Sequence, residues 1–471
     1  MADARVRRRV AAEIGDDALR EILARVRGLR DLLRCAATCK RWRRLITDRD
    51  FLRRRPSVLA GIFSQDYYPD DDMARRPSAS GKDISLYRPP WFLSLQAGLD
   101  NMHERLALDS LVTAGTNFHR LFDCARPLAA RRGYLLTRVL PSFSADVSYG
   151  DNHRRRQKLH LAVCRPLLDK TSTHLLPPPP FDMTDYLDRG LKGCAILTAA
   201  DHPRWDGNLP DHMSPPKFQV LLIYNDHVSG FVCASAYRSD TPRGWSTPVK
   251  CCPAFGLTRY GPCTGVIAHG TVHWLFKDET ANQIYALDIS ADTLYVSMTK
   301  IHTNVHATIT SPIPCVAGEE GRFSFVTIER NGVAHLWTKQ DQDQDDGSHD
   351  QGVWLCSELA KLGSKRIDLV FFAESRGALL VEQGGAFSTV DLKSKENMPV
   401  YLKDERPEHL RGTSWFPTDS CSSTCCRTCC RRHFGGACEF TAPVLYEMDW
   451  AFISLSSHVG DYIKSRLINI I

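Results

Sequence analysis

The hydrophobic period of the chain changes near residue 56, and this change separates two units of different structural class. Before it, apolar residues recur at the helical spacing i, i+3, i+4 and i+7: Leu19, Ile22, Leu23 and Val26. After it, short apolar runs follow glycines, as strands follow turns. Because a helical face and a sheet face pack differently, the pattern predicts a small helical unit followed by a larger β domain.

Residues 13–55 contain three short amphipathic patterns in succession. We expect Asp16 to cap the first helix, Gly28 to end it, and Asp48 to open a last turn. The second and third patterns continue the apolar stripe through Leu32, Cys35, Ala36, Cys39, Trp42, Leu45 and Ile46. A unit of about 40 residues rarely buries enough surface to be stable alone, so we expect contact with a partner to stabilise it.

The order of these motifs resembles an F-box. The matching positions are Asp16-Asp17, Leu19 to Leu23, Asp31-Leu-Leu-Arg-Cys35 and Cys39-Lys-Arg-Trp-Arg-Arg-Leu-Ile46. The chain departs from the family at Ile14-Gly15 and at Arg27-Gly28, where the family has Leu-Pro. Proline would stiffen both helix ends, so these departures predict that the unit binds the family's adaptor protein more weakly than is typical.

The resemblance implies a surface that docks on a Skp-type adaptor and, through it, on a cullin. The residues expected to form that surface are Ile14, Asp16, Leu19, Ile22, Leu23, Val26, Leu32, Cys35, Cys39, Trp42, Leu45 and Ile46. Several of them are apolar groups that so small a unit is not expected to bury internally. The adaptor is therefore predicted to cover part of the stripe.

Positive charge is concentrated at the start of the chain. Residues 1–55 carry 17 Lys or Arg and 8 Asp or Glu, a net of +9, within a whole-chain charge of +6. A basic helical head could read DNA through Arg41, Arg43 and Arg44, or could be a solvated face opposite a protein-binding face. Trp42 and the shared apolar stripe favour protein docking. Arg5 to Arg9 could act as a nuclear import signal, so a cytoplasmic or nuclear location is expected.

The composition is that of an ordinary globular protein, with 43% hydrophobic residues and 24% charged residues. No apolar run approaches the roughly 20 residues that a membrane helix needs, and the basic N-terminus has no apolar segment typical of a secretory signal. The 17 cysteines are scattered at irregular spacing. This usage favours a reducing, intracellular compartment.

A glycine followed by an apolar strand recurs through the second unit. The glycines are Gly133, Gly230, Gly270, Gly332 and Gly377, and the last four are 40, 62 and 45 residues apart. We attribute the gap of 62 to an acidic insertion at residues 339–351. Repeats near 45 residues with several short strands predict a β-propeller, here of about six to eight blades. Val444 to Leu455 is apolar enough to supply the closing strands.

The segment from His160 to Pro166, followed by Leu175-Leu176 and four prolines, resembles part of plant F-box-associated propeller domains. The predicted fold class is thus α+β and multidomain, with a small all-α F-box before an all-β propeller. The predicted organisation is a basic tail over 1–12, the helical unit over 13–55, a linker over 56–95 and the propeller over 96–471, with insertions at 339–351 and 421–438. The linker assignment rests on the Pro, Asp and Ser content of residues 67–90.

Two motifs contain residue types that could take part in catalysis. Gly261-Pro-Cys-Thr-Gly265 has the form of a nucleophile elbow, but the strand–turn–strand pattern after it lacks the helix that an elbow needs. We interpret it as a turn between strands. His269 and His273 have no carboxylate in a matching sequence pattern, so both are interpreted as turn and strand residues.

Six cysteines and His433 fall within residues 421–438. Cys426 and Cys429 have zinc-ligand spacing, and His433 and Cys438 could complete a tetrahedral set. The adjacent cysteine doublets fit no familiar zinc module, so we favour a surface insertion without metal.

The two resemblances together imply a substrate-recognition subunit of an SCF-type ubiquitin ligase, without enzymatic activity or cofactor of its own. The helical unit would bind the adaptor, and the propeller would bind an unidentified protein target. One alternative is a DNA-binding regulator that uses the basic head. A second is a hydrolase built on the propeller, which would need a polar cluster at its central channel.

Overall fold

The fold is given by a computed structural model. It describes residues 14–26, 32, 35–36, 38–46, 48, 51, 58–64, 90–94, 106–112, 122, 125–139, 159–166, 169–180, 190–202, 217–226, 228–241, 244–254, 256–301, 311–318, 320–340, 353–363, 367–383, 386–400 and 444–448. Gly28, predicted to end the first helix, Asp31, a plausible cap of the second, and the cysteine-rich segment 421–438 lie outside these residues.

The N-terminal unit is helical, as predicted. Helix α1 spans Asp16–Ala24 and helix α2 spans Lys40–Ile46. Their apolar faces meet in one small core that consists of Leu19, Leu23, Leu32, Leu45, Ile46 and Phe51. The backbone N–H of Phe51 donates to the carboxylate of Asp48, which confirms the predicted start of the last turn.

The rest of the described chain forms six antiparallel sheets, the blades of a propeller. Blade 1 contains β1 (Val58–Ser64), β2 (Trp91–Ser94) and β3 (Leu106–Ala107), which leads into the four-residue helix α3 (Leu108–Leu111). Blade 2 contains β4 (Arg126–Arg131), β5 (Tyr134–Val139), β6 (His160–Arg165) and β7 (Asp169–Leu175). Blade 3 contains β8 (Leu191–Thr198), β9 (Phe218–Asp226), β10 (Phe231–Arg238) and β11 (Val249–Pro253).

The remaining three blades follow in chain order. Blade 4 contains β12 (Leu257–Arg259), β13 (Val266–Ala268), β14 (Thr271–Asp278), β15 (Gln283–Ser290) and β16 (Val296–Ile301). Blade 5 contains β17 (Ile313–Ala317), β18 (Arg322–Ile328), β19 (Val333–Gln340) and β20 (Val353–Lys361). Blade 6 contains β21 (Ile367–Ala373), β22 (Ala378–Gln383), β23 (Ala386–Asp391) and β24 (Asn397–Val400). In blade 4, β12 and β13 both pair with β14, so they share one strand position.

The ring is closed by a strand from the far end of the chain. Strand β25 (Val444–Met448) pairs with β1 and supplies the fourth strand of blade 1. It also contacts β4 of blade 2 and β21 of blade 6. The Tyr446 side chain is fully buried, and its hydroxyl donates to the carbonyl of Gly133 at 2.7 Å. The closing role predicted for this region therefore holds for β25, and residues 449–455 lie outside the described chain.

The linker prediction for residues 56–95 is wrong in part. Strands β1 and β2 lie inside this range and pair with each other in blade 1, from Gly61↔Ser94 to Ser64↔Trp91. The side chains of Ile62 and Phe63 are fully buried. The prediction failed because the polar residues 67–90 lie between two short apolar runs, and the whole range was assigned to the linker. Each of these runs is long enough to form a strand. The propeller therefore begins at β1.

The five glycines mark strand starts as predicted, and each has a positive φ, from 57° at Gly377 to 87° at Gly133. The glycines do not all precede the same strand of their blades, however. Gly270 precedes the second strand of blade 4, whereas Gly332 precedes the third strand of blade 5. This shift of one strand contributes to the gap of 62. The proposed insertion cannot, because it follows Gly332, and strand β19 runs through Gln340 into its first two residues.

Candidate functional site

The residues predicted to dock on a partner separate into a buried set and an accessible set. The buried set holds the helical unit together: Leu19, Leu23, Leu32, Leu45 and Ile46. Ile22 is 49% exposed, and Cys39 is also exposed. The half-buried remainder is Ile14, Asp16, Val26, Cys35 and Trp42. A partner can reach the accessible set directly, whereas the buried set can act only by keeping the helices in place.

Asp16 joins the two helices instead of capping α1. The N-cap residue is Gly15, without a side-chain hydrogen bond. The Asp16 carboxylate accepts from Arg41 Nε at 2.8 Å and from Arg44 Nη2 at 3.0 Å. The hydrogen bond from Arg41 lowers the pKa of Asp16 below its ordinary value. The prediction of a cap failed because an arginine pair one helix away competes for the carboxylate.

The same contacts bear on the DNA-binding alternative. Arg41 and Arg44 are both engaged by Asp16, and Arg43 Nε donates to the carbonyl of Ala36 at 3.4 Å. A recognition helix must turn such groups toward phosphates and bases. Here the three arginines predicted for that role contact their own unit. These contacts weigh against DNA recognition by α2.

In the propeller, a cavity of about 110 Å³ lies on the axis and is lined by all six blades. Its walls are largely apolar and include Ala130, Ile196, Val266, Ile267, Ile313, Val370, Phe372 and Val444. The charged groups among the described lining residues are Arg131, Glu374 and Glu447. The cavity is small for a substrate, since ligand pockets usually enclose about 300–1,000 Å³.

Arg131 at this cavity is held by carboxylates of two other blades. Its Nη2 and Nε atoms contact the two oxygens of Asp201 at 2.6 and 3.1 Å, and its Nη1 atom contacts Glu374. Burial opposes ionisation of Asp201, but the charge and hydrogen bonds of Arg131 outweigh it and lower the pKa of Asp201 to about 2. Arg131 thus joins blades 2, 3 and 6, and its geometry is that of a structural clamp.

One carboxylate partner was missed by the sequence analysis. His273 Nδ1 lies 2.7 Å from Asp288 Oδ1, and both side chains are buried. The two residues are directly opposite on β14 and β15. The ring of His273 also stacks on Phe323 of blade 5, with centroids 4.4 Å apart. His273 is therefore a strand residue, as predicted, but it packs between blades 4 and 5 as half of a His–Asp pair.

The cysteine motif Gly261–Gly265 lies between β12 and β13, with β13 leading through a two-residue turn into β14. This strand–turn–strand order confirms the interpretation as a turn. Within the described part of the chain, no group of three or more His, Cys, Asp or Glu side chains is arranged to hold a metal ion. The candidate zinc ligands Cys426, Cys429, His433 and Cys438 lie outside that part.

Comparison with known families gives a match to the F-box-like family over residues 16–59. The helical unit is an F-box-like domain. The match begins at the first residue of α1 and includes both helices and the first two residues of β1. The F-box-like domain is followed by the six-bladed propeller, which confirms the predicted fold class.

Several solved structures are similar to the chain at a low level. The SapL1 lectin in complex with α-methyl fucoside is 11% identical, with 68% of this chain and 93% of that chain covered and a TM-score of 0.31. The Dos1 propeller is 10% identical, with 59% and 58% covered and a TM-score of 0.28. An α-L-arabinanase from Penicillium chrysogenum is 10% identical, with 56% and 76% covered and a TM-score of 0.30.

TM-scores this low carry no argument, so the propeller assignment rests on the strand pairing. No curated protein matches the chain with significance. Among the helices of the described residues, none combines the length and the apolar character that crossing a bilayer requires.

Proposed function

We propose that this protein is a substrate receptor of an SCF-type ubiquitin ligase. The F-box-like domain binds a Skp-type adaptor, and the propeller holds the target protein. The observation that carries the proposal is the F-box-like match over 16–59 joined directly to a closed propeller. The receptor then acts by proximity, because it raises the effective concentration of target lysines near the ubiquitin-conjugating enzyme.

The accessible residues of the F-box-like domain support adaptor docking. Ile22 projects from α1 with half of its surface exposed, while its neighbour Leu23 is buried in the core. The half-buried residues Val26 and Trp42 pack against that core from its edge. An apolar group that remains exposed on so small a unit is a natural anchor for a partner, since burying one is worth roughly 1.5–3 kcal/mol.

Adaptor binding by the purified full chain tests the proposal. We expect Ile22→Ala to weaken adaptor binding about tenfold or more, because 1.4 kcal/mol corresponds to a factor of ten in affinity. Its helical circular dichroism signal should stay unchanged, since Ile22 lies outside the core. Val228→Ala is a matched control, because Val228 is an aliphatic residue of the propeller that is 98% exposed.

Target binding is tested separately from adaptor binding. Proteins that co-purify with the intact chain and with the Ile22→Ala variant are compared by mass spectrometry. We expect the adaptor and cullin to be depleted with the variant and the targets of the propeller to be retained. If the intact chain fails to retain the adaptor at moderate salt, the receptor proposal is wrong.

A further inference from the structure

Two cysteines from neighbouring blades face each other close to the propeller axis. Cys194 lies on β8 of blade 3, and Cys263 lies in the turn before β13 of blade 4. Their Sγ atoms are 3.7 Å apart. The backbone N–H of Cys194 donates to the carbonyl of Cys263 at 3.0 Å, and the N–H of Gly265 returns a bond of 2.9 Å to Cys194. Two backbone hydrogen bonds therefore hold the segments together.

Trp274 fixes this approach from one side. Its Nε1 donates to the carbonyl of Cys263 at 3.1 Å. A Cβ atom added at Gly193 or Gly265 would lie 2.6 or 2.5 Å from the indole, so both glycines are needed for the ring to pack here. The cysteines thus sit in a packed site, and their sulfur atoms are neighbours in the resting fold.

The two thiols differ in access. Cys194 is fully buried, whereas Cys263 is half-buried, and its neighbours Pro262 and Thr264 line the axial cavity. The hydrogen bond to Cys263 and burial raise the pKa of Cys194 well above its ordinary value. An oxidant small enough to enter the cavity therefore comes close to the half-buried Cys263 before it reaches the fully buried Cys194, whose raised pKa keeps it a protonated thiol.

We propose that Cys194 and Cys263 are an oxidisable dithiol that forms a disulfide between blades 3 and 4 when the protein meets hydrogen peroxide. The Cys263 thiol loses its proton to water, and the thiolate attacks one peroxide oxygen as the O–O bond breaks. The hydroxide that leaves takes up that proton, so a sulfenic acid and one water form. The Cys194 sulfur then attacks the Cys263 sulfur. The S–S bond forms as the S–O bond breaks, and the hydroxyl leaves with the Cys194 proton as a second water. Two thiols lose two electrons, and peroxide accepts them.

The disulfide needs only local movement. The sulfur atoms must close from 3.7 Å to about 2.05 Å. The bond would join residues 69 positions apart and would tie the inner strand of blade 3 to the turn before β13. A cross-link of this length stabilises a fold mainly by restricting the unfolded chain. Oxidation would thereby raise the free energy of unfolding of the propeller.

Peptide mapping of the full chain tests the proposal. The reduced protein is treated with hydrogen peroxide, its remaining thiols are alkylated, and it is digested with trypsin without reductant. We expect residues 193–204 to be joined to residues 260–277, each of which holds one cysteine, and dithiothreitol to separate them. The melting temperature should rise on oxidation by on the order of 5 °C.

Variants assign the effect to this pair. Cys194→Ser and Cys263→Ser should each abolish the linked peptide and the rise in melting temperature. Cys315→Ser, at a fully buried cysteine of blade 5, should keep both and serves as the matched control. If a variant does not fold, the peptide map of the unaltered chain decides alone. Peroxide treatment that leaves both thiols open to alkylation, or that joins Cys263 to a different cysteine, overturns the proposal.

Discussion

The F-box-like domain and the propeller solve the same packing problem in opposite ways. The F-box-like domain packs six buried side chains into one core and leaves Ile22 exposed. In the propeller, each blade shares its core with a neighbour, and β25 returns to close the ring. The comparison teaches that an open unit leaves apolar surface exposed, whereas a closed ring buries the apolar faces of its blades against one another and depends on closure.

Removing the closing strand should have the largest effect. A chain that ends at residue 443 lacks β25 and leaves β1, β4 and β21 without their neighbour. We expect it to lose cooperative thermal unfolding, measured by near-ultraviolet circular dichroism, while the helices of the F-box-like domain persist. A chain that ends at Met448 is the control and should unfold cooperatively. If the shorter chain unfolds with the same midpoint as the longer one, closure does not govern the ring.

Breaking the Arg131 clamp should have the next largest effect. Arg131→Met leaves the buried Asp201 without its counter-charge, so the free energy of unfolding should fall by about 3–5 kcal/mol at neutral pH. The pKa of Asp201 is lowered from 3.8 to about 2 in the fold, so its contribution is present above pH 3.8 and is lost as the pH falls toward 2.

Urea unfolding at several pH values measures the clamp. The unaltered chain and Arg131→Met should differ at pH 7 and converge as the pH approaches 2. Arg131→Met combined with Asp201→Leu removes both charges and should recover part of the loss. An equal difference at pH 7 and pH 2 would show that the arginine acts through packing alone.

Within the F-box-like domain, two adjacent residues are expected to separate folding from the proposed docking. Leu23→Ala removes a side chain that is 1% exposed and should destabilise the helices by about 2–5 kcal/mol. Ile22→Ala should change their stability by about 0.5 kcal/mol or less, because the side chain is half exposed. Hydrogen exchange of amides in α1 and α2 of the full chain measures both. Equal loss of protection in the two variants would contradict the division into a buried and an accessible set.

The smallest effect is expected for Asp16→Asn. The variant loses its charge contacts with Arg41 and Arg44 on the surface of the domain, where ion pairs contribute little. Because the pKa of Asp16 is lowered in the fold, any stabilisation is present above its ordinary value of 3.8 and is lost as the pH falls further. Amide protection in α1 should thus decrease slightly at neutral pH and not at low pH, and added salt should reduce the difference.

Local patterns predicted much of this fold. Glycines with positive φ precede apolar runs at five positions, and each run is a strand, because the turn and the pairing face are encoded within about ten residues. The pattern does not encode which strand of a blade it starts. Second and third strands have the same apolar character. The gap between Gly270 and Gly332 was therefore wrongly attributed to an insertion, when it includes a shift of one strand within the blade.

The candidate site was also predictable in part: the sequence indicated which residues belong to it, but not which of them are buried. Helical periodicity selected the core residues and the exposed residues of the F-box-like domain together. It identifies the apolar stripe of a helix but does not show how much of that stripe is buried. The His273–Asp288 pair had a usable signal, since both residues lie five positions outside the ends of a β-hairpin turn, Asp278 and Gln283. Arg131, Asp201 and Glu374 had none, because separations of 70 and 243 residues are joined only by the ring.

The pairing of β1 with β25 also determines when blade 1 can be completed during translation. When Val58 has left the ribosome, its partner Met448 is still 390 codons away, and at about 5–20 residues per second the wait is roughly 20–80 seconds. During that interval the F-box-like domain has already emerged, while blade 1 lacks its innermost strand. A ribosome that stalls or terminates early would release a chain with a complete F-box-like domain and an open ring. The last of the described strands to be translated therefore decides whether the whole propeller can close.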